Sequence, residues 1–314
     1  MSQAKFIDLN AAADFLGNGA IEVNRYEDEI FDIVRRNSIA LQRFSKVPAT
    51  GHPHRYFEQT AIATGTWTDP RAISPTPSGP TRVERAAFIK AITAQTNLSM
   101  FDIDVTRMQN QFASVEAKDI EDITSAVVVT EAIGVWAGND TSLSSPTTTQ
   151  FVGLLTQIPA GSVSVGLGAS IIDGLKAQVA ALVANQTYVA RPTAIYVNPI
   201  LGDYIDREAR AAKIELREMV VAGVSVTSIE TQAGRLPIIA DPFMPIDSVG
   251  SFGYAAPPAG NKNYFAAILT EKEVEMPYIH GGDGNPNPRV FQLGLLAGLQ
   301  GQYVAVHFAA ILAK

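Results

Sequence analysis

Four prolines fall within the twelve residues Asp69-Pro70-Arg71-Ala72-Ile73-Ser74-Pro75-Thr76-Pro77-Ser78-Gly79-Pro80. Proline has no N–H to donate to a sheet ladder, so no strand runs through this stretch. Extended sequence flanks it on both sides. Tyr56 to Thr68 is rich in threonine, aromatic and branched residues, the composition of a strand. Thr81 to Thr96 carries Val83, Phe88, Ile89 and Ile92, although Arg82 to Ile92 also fits a helical pattern. Together they predict a long hairpin with a stiff tip. An arm of ~13 residues at ~3.3 Å each reaches about 40 Å. A compact chain of this length has a radius of gyration near ~20 Å. Such a hairpin projects from its own body, and a two-stranded ribbon is marginal alone in water. It is therefore expected to lie on another subunit. Trp67, beside the tip, is assigned to that contact because aromatic anchors dominate interfaces. Arg71, Ile73, Arg82 and Arg85 on the same ribbon are assigned with it.

The segment after the hairpin reads as one long helix over 104–140. Thr106-x-x-Gln109 is a capping-box pattern, and Met108, Phe112, Val115, Ile120, Ile123 and Val127 follow at helical spacing. Gly138-Asn139-Asp140 supplies a stop. At ~1.5 Å per residue the helix is on the order of 45 Å long, several times the mean, which makes it a structural backbone for the subunit. Trp136, late in this helix, is expected in the core. Asp102 and Asp104 precede it, where the helix dipole stabilises carboxylates without any acid–base role.

The rest of the chain alternates helix and strand. Glu22 to Phe44 has a helical pattern, broken at Val47-Pro48-Ala49-Thr50-Gly51. After a Ser/Thr/Pro loop over 141–149, Ser170 to Asn185 is amphipathic through Ile172, Leu175, Val179 and Leu182. Thr193 to Val197 is a buried strand. Asn198-Pro199 then opens a helix expected to run through Leu201, Ile205 and Ala209 to about Met219. Val224 to Glu230 and Arg235 to Ala240 form a hairpin that ends at Asp241-Pro242-Phe243-Met244-Pro245. Tyr264 to Thr270, Val274 to Ile279 and the final segment add strands. The class is α+β, and 314 residues suggest about two domains.

Composition excludes several functions. The chain has no cysteine, so it has no disulfide framework, no cysteine-based zinc site and no cysteine nucleophile. A net charge of -7 opposes binding to nucleic acid by phosphate neutralisation. Charged residues make up 18% of the chain against a usual ~25%, few for a soluble monomer. The first fifteen residues have no apolar run and carry Asp8 and Asp14, so they do not read as a secretory signal. Leu293 to Ala313 has no Asp, Glu, Lys or Arg. It alternates as strand, with Tyr303, Ala305 and His307 against Val304, Val306 and Phe308, and so reads as a buried strand pair rather than a membrane helix.

No motif carries chemistry. Gly166-Leu167-Gly168-Ala169-Ser170-Ile171 precedes a helix as a dinucleotide loop would, but its third glycine is replaced by Ile171. Asp283-x-Asn285-x-Asn287 imitates a calcium loop, yet Pro286 and Pro288 break its backbone. His52 and His54 lack an apparent third metal ligand. His280 precedes a glycine loop, and His307 reads as a core or interface histidine. Glu271, Lys272, Glu273 and Glu275 read as a turn and a solvated strand face. No catalytic, cofactor or metal residues are assigned.

The order of parts carries the functional signal. An N-terminal arm is followed by a long hairpin, a long helix, a mixed lobe, a second hairpin and terminal strands. This order resembles the major capsid protein of tailed bacteriophages, with its Hong Kong 97 type fold. Three segments strengthen the likeness: FVGLLTQIPAG (151–161), TAIYVNPILGDYI (193–205) and VTSIETQAGRLPIIADPFMP (226–245). The resemblance implies an N-terminal arm over 1–48 and an extended E-loop over 49–97. It implies a peripheral domain with the spine helix over 98–140 and 263–290, and an axial domain over 141–262 and 291–314.

The implied function is a virion shell protein that forms hexamers and pentamers around double-stranded DNA, without sequence-specific binding. Portal and scaffolding or decoration proteins are the implied partners, and neither a membrane nor a cofactor is involved. Some members cross-link through an E-loop lysine. Here the tip has only Arg71, and Lys90 lies on the return arm, which argues against a cross-link. The alternative is an encapsulin-like nanocompartment shell, which shares the fold.

Overall fold

A computed structural model of the chain describes residues 38–69, 71, 78–99, 104, 108, 115–158, 165–186, 189–213, 216–221, 224–279, 288–294 and 300–313. Ser38 caps the short helix α1 (Ile39–Arg43) by accepting from the Leu41 amide. Strand β1 (Ser45–Pro48) follows. Next come β2 (His54–Ala61) and β3 (Thr81–Ala87), which among the described residues pair only with each other as an antiparallel ribbon. Strand β4 (Lys90–Ser99) leads to the long helix α2 (Val115–Ala137) and the single turn α3 (Leu154–Gln157).

The second half holds α4 (Ile171–Val183), β5 (Ala194–Val197), α5 (Pro199–Ala211), β6 (Arg217–Val221), β7 (Val224–Thr231) and β8 (Gly234–Ala240). It continues through β9 (Ile246–Asp247), β10 (Asn263–Tyr264), β11 (Ala266–Leu269), β12 (Val274–Ile279), β13 (Arg289–Gly294), β14 (Gln300–Ala309) and β15 (Leu312–Ala313).

Two sheets build the body. In the six-stranded sheet, β14 pairs along its whole length with β4 on one side and with β13 and β12 on the other; β1 and β15 pair with β12. Helix α2 covers one face. Tyr303 and Ala305 point at Ile123 and Val127, while Phe308, on the other face, is exposed. The five-stranded sheet runs β11-β5-β8-β7-β6, with α4 and α5 packed on one face through Ile172, Leu175, Val179, Leu201 and Ile205. The main core joins the other face to the end of α2. Trp136, Phe44 and Tyr196 meet there, with ring centroids 5.5 to 6.1 Å apart.

Several expectations change. The ladder of the hairpin stops at Ala61↔Thr81, although strand-like sequence runs on to Thr68. Thr81 follows Pro80, which has no amide hydrogen to continue the ladder. Beyond it the arms are bridged by Ser78 alone among the described residues: its Oγ donates to the Thr64 carbonyl and accepts from the Thr64 amide. The return arm is strand rather than helix, and it is two strands. Phe88-Ile89 separates β3 from β4, which leaves the ribbon for the large sheet.

Strands β4, β12 and β14 thus share one sheet, whereas the expected boundaries assigned them mainly to the E-loop, peripheral and axial parts respectively. Likewise β11, from the expected peripheral part, pairs with β5. Helix α5 ends at Ala211 rather than near Met219. Lys213 takes a left-handed φ of 54°, which stops the helix, and the branched residues that follow pair with β7 as β6. The expected 104–140 helix is seen as α2, with Asp104 and Met108 also helical; Thr106, Gln109 and Asp102 lie outside the described residues.

Candidate inter-subunit surface

Alternation puts two different faces on the ribbon. Residues directly opposed in an antiparallel pair share a face. One face holds Tyr56, Glu58, Val83 and Arg85; the other holds Arg55, Phe57, Gln59, Arg82 and Glu84. Each carries one aromatic and one diagonal ion pair. Arg85 donates to Glu58 at 2.8 Å on the first, and Arg55 donates to Glu84 at 2.6 Å on the second. Both pairs are solvated, and exposed pairs of this kind contribute little to stability. They keep the ribbon soluble and in register rather than holding it to the body.

Three large apolar residues of the ribbon stand in solvent, although Ala87 at its base is buried and Tyr56 and Val83 are half-buried. Phe57 is 76% exposed, Ile62 77%, and Trp67 is fully exposed. Isolated exposed apolar residues are ordinary, but three large ones on a single projecting element mark an interaction surface. Of the residues assigned from sequence, Trp67, Arg71, Arg82 and Arg85 are all solvent-facing, and Ile73 lies outside the described residues. Arg82 shares a face with Phe57, and Arg85 shares one with Tyr56. Arg71 lies in the turn begun by Asp69, whose carboxylate accepts from the Arg71 amide at 2.9 Å.

Two polar nodes, one buried and one half-buried, hold the body that carries the ribbon, and neither was evident in the sequence. Asp241, fully buried, accepts from Ser38 Oγ (3.0 Å), Ala40 N (3.4 Å) and Trp136 Nε1 (3.2 Å) on one oxygen, and from Phe243 N (2.9 Å) on the other. It ties the start of α1, the end of α2 and the edge of the five-stranded sheet together. Glu271, expected on a solvated face, is instead the second node. It receives Arg43 through two bonds of 2.5 and 2.8 Å, and the Tyr196 hydroxyl at 2.5 Å. Burial would raise the Glu271 carboxyl, but the Arg43 and Tyr196 bonds outweigh it and hold it below the usual range. Burial first, and then the bond to Glu271, pushes the Tyr196 phenol up.

No family model matches this sequence, and no curated protein matches it. Solved structures do match it. The capsid of an empty GTA particle aligns over 96% of this chain and 95% of its own, with a TM-score of 0.64 and 17% identity. A structure from Microbacterium phage Oxtober96 aligns over 100% of this chain and 93% of its own, at 0.63 and 14%. The holo-SrpI encapsulin complex from Synechococcus elongatus PCC 7942 aligns over 97% and 91%, at 0.61 and 12%. The chain has the Hong Kong 97 type capsid fold.

On this capsid fold the motifs weighed from sequence have local explanations. The glycine turn at Gly166 does lead into a helix N-terminus, but Glu208 of α5 fills it. Its carboxylate accepts from Ser170 Oγ (2.5 Å), Ile171 N (2.8 Å) and Ile172 N (3.3 Å). The amides that would hold a phosphate already hold a carboxylate. His54 is buried at the ribbon base against Thr50, and His52 meets the ring of Phe88 edge-on at 5.3 Å. His307 is a buried residue bonded to Glu131 of α2 at 3.1 Å. His280, Asp283, Asn285 and Asn287 lie outside the described residues. Among the described residues no His/Asp/Glu group is arranged to hold a metal, and no helix is long and apolar enough to cross a membrane.

Proposed function

We propose that the chain is the major capsid protein of a tailed bacteriophage. It self-assembles as hexamers and pentamers into the icosahedral shell of the virion, which encloses double-stranded DNA. The observation that carries this is the ribbon: three large apolar side chains stand in solvent on an element that pairs with no other strand among the described residues. The full-length likeness to shell subunits supports it. In this reading β2, β3 and the tip are the E-loop, α2 is the spine helix, and the six-stranded sheet forms the peripheral domain. The five-stranded sheet with α4 and α5 forms the axial domain. The ribbon residues Trp67, Arg71, Ile73, Arg82 and Arg85 contact neighbouring subunits.

The role is structural, with no catalytic residue or cofactor assigned. Portal and scaffolding or decoration proteins are its further partners. The low share of charged residues agrees with a chain that buries much of its surface against copies of itself, since interface cores are depleted in charge.

Size-exclusion chromatography with negative-stain microscopy of the full chain tests the reading. Capsomers or closed shells are expected. A stable monomer at high concentration, even with phage partners present, overturns it. The encapsulin-like reading rests on the likeness to the holo-SrpI encapsulin complex. Nuclease-protected double-stranded DNA inside native particles supports the phage role, and an enclosed enzyme supports the compartment.

A further inference from the structure

We propose that the loop wound on Asp140 is a socket that sets the direction in which the ribbon leaves the body. The ribbon is joined to the large sheet through Phe88-Ile89, where the chain changes partner from β2 to β14. Two bonds fix this joint from outside. The Phe88 amide donates to the Leu143 carbonyl at 3.2 Å, and Lys90 Nζ donates to the Thr148 carbonyl at 2.5 Å. Both acceptors belong to the stretch 141–148, which has no helix or strand.

What shapes that stretch is one buried carboxylate. Asp140 Oδ1 accepts from Thr141 N (2.8 Å) and from Thr147 N and Oγ1 (both 3.1 Å). Oδ2 faces Lys90 Nζ at 3.4 Å and Thr148 N at 3.5 Å. Burial would raise this carboxyl, yet the bonds from Thr147 and Thr141 hold it well below the usual range, so it stays ionised in the site. The Lys90 ammonium supplies the compensating charge. Asp140 lies three residues beyond the end of α2, so the socket ties the ribbon base to the end of the long helix.

The other exit has its own ties to the body. The Ala49 amide bonds the Tyr278 carbonyl, and the Thr50 amide bonds His54. Weakening the carboxylate removes the acceptor around which the loop is wound. The Leu143 and Thr148 carbonyls then leave the joint, and the ribbon pivots. Neither Asp140→Asn nor Lys90→Met removes an apolar side chain from the cores around Trp136 and α4, so the body is expected to stay folded.

The absence of cysteine makes the test direct, because two labels can be placed without removing native thiols. Spin labels at Gln59→Cys on the ribbon and Ala126→Cys on α2 report the angle by electron–electron resonance. Dilution into unlabelled chain ensures that only intramolecular distances are read. The parent is expected to give one narrow distance, and Asp140→Asn and Lys90→Met to lose it for a broad distribution. Hydrogen exchange at the Phe88 amide should run roughly tenfold faster in both variants, while α2 and β5 keep parental protection.

An unchanged distribution, or a Phe88 amide as protected as in the parent, overturns the proposal. If Asp140→Asn loses protection throughout the body, Lys90→Met decides, because it cuts the tie to the ribbon and keeps the loop's own bonds. This outcome is independent of the shell reading, since it concerns the geometry within one chain.

Discussion

A buried carboxylate is stable only when its oxygens are satisfied, and Asp241 satisfies both of its oxygens with groups from three separate parts of the chain. Asp241→Ala leaves the Trp136 indole N–H and the Ser38 hydroxyl buried without this acceptor. A loss of about 2–4 kcal/mol is expected, read as a fall in the urea midpoint at unchanged slope. Asp247 makes a prediction about pH. Burial would raise its carboxyl, but bonds from the Val249, Ser251 and Gly250 amides and from Ser251 Oγ hold it at about 2. In the unfolded chain an aspartate titrates near ~3.9. The native state therefore binds fewer protons than the unfolded state in this window. The stabilisation is fully present above ~4 and is lost as pH falls through about 2. Glu271 and Asp140 shift in the same direction, so the folded subunit should weaken steadily below about pH 4. Denaturant titrations at several pH values check this. Asp247→Asn should flatten part of the acid limb, and an unaltered limb would discard the assignment.

At the scale of elements, the end of α2 depends on two glycines that touch. A Cβ on Gly138 would stand 2.2 Å from the Phe151 carbonyl oxygen, and one on Gly153 would stand 2.5 Å from the Gly138 amide. Both neighbours are backbone, so nothing rotates aside. Either alanine variant must push the α2–α3 connection apart beside Trp136, at an expected cost of at least about 2–3 kcal/mol. Thermal unfolding by circular dichroism reads it, and a variant as stable as the parent would mean that the close approach is not kept in solution. These elements also show what a sequence discloses. The proline tip, the spacing of Ile123 and Val127, and the Asn198-Pro199 cap are local signals, and they correctly marked the ribbon, α2 and the start of α5. The exchange of partners at Phe88-Ile89 was hidden. Strand β4 pairs with residues some two hundred positions later, and nothing in Lys90–Ser99 names that partner. Asp241, read as the end of a hairpin, was equally silent about Ser38 and Trp136, because long-range polar nodes leave no periodicity.

For the whole molecule, the question is why a chain keeps a fully exposed tryptophan on an element that gives its own fold so little. An aromatic of this size buries about 200 Å², and at ~25 cal/mol/Å² that is on the order of 5 kcal/mol once a partner covers it. Trp67 contributes almost nothing to the lone subunit and a great deal to an assembly that repeats the contact in every copy. Trp67→Asp should therefore leave the subunit's unfolding free energy, read by urea titration, within ~0.5 kcal/mol of the parent's, as for other surface substitutions. It should also abolish shells at concentrations where the parent assembles, as read by light scattering and negative-stain microscopy. Removing residues 69–80 should act in the same direction. The ladder ends at Ala61↔Thr81, so the tip lies beyond the last paired residues and can be lost without opening either sheet. If the deletion instead costs the subunit its fold, the tip belongs to a core. If Trp67→Asp assembles as the parent does, the ribbon is not the shell contact, and the exposed Phe57 and Ile62 would need a different partner.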